Sequence, residues 1–115
     1  MSTYFNQCIA YGYVTTLKEF NRIVGQKWFE DDDLRMDNNE NGFGWFVTDE
    51  FAFYGKQLIY GESNGNDSLI AATRGYVKMP RIDASDFATV CKNLEDMFGE
   101  SKDRECDYYT LGGYN

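Results

Sequence analysis

The stretch 83–99, DASDFATVCKNLEDMFG, decides how this chain folds. Phe87, Val90, Cys91, Leu94, Met97 and Phe98 recur at three- and four-residue steps, so they share one face of an α-helix. Asp83 or Ser85 can offer an oxygen to the unpaired N–H groups at its start, and Gly99 stops it. A helix with one apolar face needs a partner surface, and the flanks supply one. Upstream, residues 43–48 and 51–60 are aromatic and β-branched and read as strands, with Gly55-Lys56 marking a tight turn. Residues 62–67 read as a loop, and 68–79 as a further strand ending at Pro80. Downstream, 107–111 can pair as a last strand. At the other end, 4–14 reads as a first strand. Thr16-Leu17-Lys18-Glu19 fits a capping box ahead of Leu17, Phe20, Ile23 and Val24 at helical spacing. Gly25 ends or interrupts that helix before Trp28 and Phe29. The order β-α-β-β-β-α-β predicts one α+β domain over 1–115. It would be a mainly antiparallel sheet with two helices packed on one face, an order compatible with a ferredoxin-like arrangement.

Composition bounds the function. The chain has 115 residues, enough for one domain with its own core. Its 18 Tyr and Phe residues favour strands and broad contact faces. No run approaches the roughly 18 apolar residues a membrane span needs. The first residues lack the basic start and apolar run of a signal peptide, so a cytoplasmic location is expected. The three cysteines, Cys8, Cys91 and Cys106, are widely spaced without a C-x-x-C, and Cys91 in the helix stripe reads as a buried free thiol. There is no histidine, which removes the commonest general base and zinc ligand. Glycine pairs occur without a P-loop, and no two carboxylates stand out as an acid and base. The expectation is therefore no enzyme and no cofactor.

The net charge is −8, and it is not spread evenly. Residues 30–50 hold Glu30, Asp31, Asp32, Asp33, Asp37, Glu40, Asp49 and Glu50 against the single base Arg35; one base minus eight acids leaves −7 in that window. Such a run is commonly just a solvated surface. Carboxylates spaced along a surface can also imitate phosphates and occupy the basic groove of a nucleic-acid-binding protein, while their field disfavours nucleic acid itself. Trp28, Phe29, Phe43, Trp45 and Phe46 adjoin the cluster and would anchor its edge.

Two motifs lie in the same region. Asp37-x-Asn39-x-Asn41-Gly42 matches the opening of an EF-hand calcium loop, but the twelfth position is Thr48 rather than a bidentate Glu, and Gly44-Trp45 does not begin an exiting helix. Asn41-Gly42-Phe43-Gly44-Trp45-Phe46-Val47 resembles the RNP1 strand of the RRM family over seven residues. It carries Asn41 where that strand has Lys or Arg, and Trp45 is an extra residue that shifts later side chains to the other face. An aromatic sheet strand accounts for it.

The expectation that follows is a non-catalytic binding module whose partner is a basic nucleic-acid-handling protein. Its contacts would be Asp31, Asp32, Asp33, Asp37 and Glu40, with Trp28 and Trp45 as anchors. In composition the chain resembles small early proteins of bacteriophages: short, acidic, rich in Asn, Asp and Tyr, poor in Leu and Pro. That resemblance implies an inhibitor of a host defence or transcription enzyme. A second expectation is a nucleotide-binding protein, with Tyr11, Tyr13, Tyr54, Tyr60 and Tyr76 stacking a base and Arg74, Lys78 or Arg81 meeting phosphate. A third is calcium at Asp37, Asn39 and Asn41. Exposed aromatic strands could also pair into a homodimer through sheet edges.

Overall fold

The computed structural model describes residues 5–63, 80–100 and 104–114. Along the chain, β1 (Phe5–Thr15) is followed by α1 (Leu17–Ile23) and the single turn α2 (Lys27–Glu30). Two 3-10 turns come next, over Asp32–Leu34 and Met36–Asn38. Then come β2 (Phe43–Val47), β3 (Ala52–Ser63), α3 (Ala84–Phe98) and β4 (Asp107–Tyr114). The strands form one sheet in the order β2-β3-β1-β4, every neighbouring pair antiparallel. The class is α+β, as the sequence predicts. The strand expected over 68–79 lies outside the described residues, and the described elements do not by themselves establish the ferredoxin-like order. Among the described residues no helix is long and apolar enough to cross a membrane.

The caps fall where the sequence puts them. Thr16 Oγ1 accepts from the Glu19 amide at 3.2 Å, and Asp83 Oδ1 accepts from the Asp86 amide at 2.8 Å. Val24 caps α1, Gly25 follows at φ +55°, and Gly99 caps α3 at φ +84°. The turn between β2 and β3 is at Thr48–Phe51, where the Thr48 amide donates to the Phe51 carbonyl at 2.9 Å.

Gly55-Lys56 is therefore not a turn, contrary to the sequence reading; it sits inside β3. Gly55 faces Gly12 across the β1–β3 ladder. A side chain on Gly55 would run into the Tyr11 carbonyl, one on Gly12 into the Tyr54 carbonyl, and either would press on the Phe53 ring. The two glycines let the strands approach and leave room for that ring. Nearby, Ile9 faces Ile59 and Ala10 faces Gln57, which leaves Leu58 as a bulge.

Each face of the sheet carries an apolar cluster. On one, Trp45, Ala52 and Tyr54 meet Phe20 and Val24 from α1 and its cap and Val90 and Leu94 from α3, so both helices pack on the same side. Trp45 is the hub: its ring lies 5.0 Å from Phe20, 5.3 Å from Tyr54 and 6.2 Å from Phe98, centre to centre. On the other face, Cys8, Ala10, Phe53 and Leu111 gather with Met36.

Candidate functional site

The acidic segment is built from its own short-range bonds. Asp31 Oδ1 accepts from the Asp33 amide at 3.0 Å, capping the first 3-10 turn. The side-chain amides of Asn38 and Asn39 donate back to the carbonyls of Asp32 at 3.3 Å and Asp33 at 2.8 Å, which folds 38–40 against 31–33. The segment lies along the side of β2 away from β3, where Arg35 bridges Trp45 in parallel. Gly44 makes that possible. A Cβ there would stand 2.7 Å from the Met36 nitrogen and 2.9 Å from the Leu34 carbonyl oxygen, and its φ of +156° disfavours any other residue.

Asp31, Asp32, Asp33 and Glu40 are exposed and lie near the Phe43 end of β2. Asp37 falls in the second 3-10 turn; its side chain lies outside the described part of the molecule. Asp49 and Glu50 are exposed as well, but they sit in the turn beyond Val47, so β2 separates them from the rest by roughly 13 Å. These six acids are thus two groups. The one described ion pair is Arg22–Glu19, which lowers the Glu19 pKa mainly through its hydrogen bond; among the described residues no cation pairs with an acid of 30–50. Arg35, the base within that stretch, instead lies over the Trp28 ring at 4.2 Å.

The rings divide differently from the sequence reading. Trp28 is half-buried between Arg35 and Phe20. Trp45, expected as an edge anchor, is a core residue at 2% exposure, because β2 points Phe43, Trp45 and Val47 toward the helices. Phe29 stands in solvent at 78% exposure. Its sequence signal is only its place beside Trp28 at the end of a short helix.

Between the acidic segment and α3 lies an open cleft of about 540 Å³. Asp33, Asn39 and Asn41 form one wall. Thr89, Asn93 and Asp96 form the other; their spacing of four and three residues puts them on one side of α3, beside its buried stripe. Phe43, Trp45 and Tyr54 lie at its base. The Asn93 amide nitrogen donates to Tyr54 Oη at 2.7 Å. Burial raises the Tyr54 pKa, a shift the Asn93 bond partly offsets. Sequence reasoning missed the α3 wall, whose polar residues belong to no motif or charge run.

Two of the other candidate rings, Tyr11 and Tyr13, are engaged elsewhere. Tyr11 packs between Phe87 at 5.7 Å and Tyr108 at 4.9 Å, and Tyr13 against Phe98 at 5.7 Å. Arg81 is exposed. The Tyr60 side chain, Arg74, Tyr76 and Lys78 lie outside the described residues. In the calcium-like stretch, Asn39 turns its amide to Asp33, the Lys56 ammonium donates to the Asn41 carbonyl, and the chain leaves as a strand. Among the described residues no three His, Cys, Asp or Glu side chains gather as a metal site. Burial raises the pKa of Cys91 and Cys106, with the nearby Cys91 adding to the shift at Cys106. No protein-family model, curated protein or solved structure matches the chain.

Proposed function

We propose that the protein is a non-catalytic binding module of the cytoplasm whose carboxylate-rich edge engages a basic, nucleic-acid-handling protein and blocks its groove. One observation carries the reading: the acids at the Phe43 end of β2 are exposed, and the only base within 30–50 is laid over Trp28 rather than on any of them. Negative potential that no described cation neutralises speeds encounter with a cationic surface and rejects anionic ones, nucleic acid included. The compositional resemblance to small early bacteriophage proteins supports a host defence or transcription enzyme as the class of target.

The test is affinity capture from a bacterial lysate at low and high salt, read by mass spectrometry, followed by titration of the captured protein. Asp31, Asp32, Asp33 and Asp37 are then replaced together by Asn. At about 0.2–1 kcal/mol per exposed charge, the fourfold variant binds between about fourfold and several hundredfold more weakly, and its salt dependence flattens. Unchanged affinity and unchanged salt dependence in that variant defeat the proposal.

A further inference from the structure

The cleft between the acidic segment and α3 has a chemical bias of its own. Its two walls present one carboxylate each, Asp33 and Asp96, from elements far apart in sequence. The amides between them are oriented by bonds to the protein. Asn39 uses an amide N–H on the Asp33 carbonyl, and Asn93 uses one on Tyr54 Oη. Each nitrogen is thereby held to the protein by one of its two N–H groups, and among the described residues neither Oδ1 accepts a bond. Thr89 likewise commits its hydroxyl hydrogen, to the Ser85 carbonyl at 3.1 Å. The cleft thus presents two carboxylates together with amide and hydroxyl oxygens whose orientation the protein sets.

A cation already sits at its rim. The Lys56 ammonium donates to the Asn41 carbonyl and lies 4.7 Å from the centre of the Phe43 ring, and both Asn41 and Phe43 line the cleft. This is an intramolecular instance of the recognition the rest of the lining offers. Leu34 and Met97 add apolar surface on which an aliphatic stem can rest.

We propose that this cleft receives the guanidinium of one arginine side chain from the basic partner, held between Asp33 and Asp96. The inference rests on the binding reading above and adds a pocket, with residues on α3, to an edge otherwise described by charge alone. Arginine fits better than lysine. Its planar fork has five donors for acceptors on two walls and can lie against a ring, whereas an ammonium is a strongly hydrated point.

The test uses the full chain and small probes: arginine amide, lysine amide, and citrulline amide as the neutral isostere. Binding is followed by the NMR signals of the Trp45 indole N–H and the Asn93 side-chain amide. Arginine amide is expected to shift both signals, lysine amide to bind more weakly, and citrulline amide to leave them in place. Asp96→Asn, a change at an exposed helix position, is expected to weaken arginine amide about threefold, and Asp33→Asn similarly. Equal shifts from citrulline amide, or arginine shifts that ignore Asp96→Asn, overturn the pocket. The captured partner separates this from the parent reading. If it binds with steep salt dependence yet is indifferent to Asp96→Asn, the pocket is wrong and the acidic edge stands. If Asp96→Asn weakens the partner but a variant with Asp31, Asp32 and Asp37 made Asn and Asp33 kept binds it normally, the pocket stands and the edge is wrong.

Discussion

Trp45 and Phe29 flank the same run of acids and have opposite fates. Trp45 is at 2% exposure, held by rings from α1, β3 and α3, while Phe29 is at 78% on a one-turn helix. The difference lies in the period of the element that carries each. A strand alternates, so β2 must send Trp45 inward with Phe43 and Val47; a single helical turn after Gly25 has room to bury Trp28 but not its neighbour. Aromatic content beside charge therefore does not identify a contact surface until the period is known. One region gives the molecule its stability, the other its exposed chemistry.

The sharpest way to break that division is to remove the hub. Trp45→Ala deletes a side chain that joins three elements and is expected to cost about 3–5 kcal/mol, a large part of the 5–15 kcal/mol typical of a domain. Urea or guanidinium unfolding measures it, and a loss below about 1 kcal/mol means the described packing around Trp45 is wrong. Gly44→Ala comes next. It acts at the seam between the regions, where a Cβ meets the Met36 nitrogen and the Leu34 carbonyl. The expected cost is about 1–3 kcal/mol, and the acidic segment should be cleaved faster by proteases than in the parent chain. Equal cleavage rates would mean that the segment is not held by this contact.

The elements legible in sequence are those fixed by neighbours in the chain. α3 announces itself through the Asp83 cap, the stripe Val90–Leu94–Phe98 and the Gly99 stop, all within one stretch. Thr16 and Gly25 frame α1 in the same way. What sequence misreads is fixed by distant residues. Gly55 looks like a turn because its requirement comes from Gly12 on another strand. The cleft was legible only on one side: Asp33, Asn39 and Asn41 draw attention by charge and spacing, whereas Thr89, Asn93 and Asp96 join them only through the packing of α3 over Tyr54.

Titration offers a milder probe of the core. Tyr54, Tyr11, Cys106 and Cys91 all have pKa values raised in the folded chain, foremost by burial, from ordinary values of 10.0 for the phenols and 9.0 for the thiols. The folded state holds these protons more tightly than the unfolded one. Their contribution to stability is thus complete below those ordinary values and is lost as pH climbs through the raised ones. Unfolding free energy should fall progressively above about pH 9. Tyr54→Phe should shallow that fall, since it removes the titrating group with the deepest burial of the four. A slope unchanged by Tyr54→Phe would mean that Tyr54 does not couple to folding.

The smallest expected change in stability is at Phe29. Its ring has little to lose on unfolding, so Phe29→Ala should move the unfolding free energy by no more than about 0.5 kcal/mol. Its effect on binding is the informative part. A large exposed ring next to Trp28 and the Asp31–Asp33 run is placed to be covered by whatever the acids attract, and covering it would exclude water from the neighbouring charge contacts. Partner affinity should then drop about tenfold at a salt dependence equal to the parent's, because no charge is altered. That is the reverse of the fourfold Asn variant, in which the salt dependence itself changes. If Phe29→Ala binds as tightly as the parent, recognition is electrostatic alone and the Phe29 ring has no part in it.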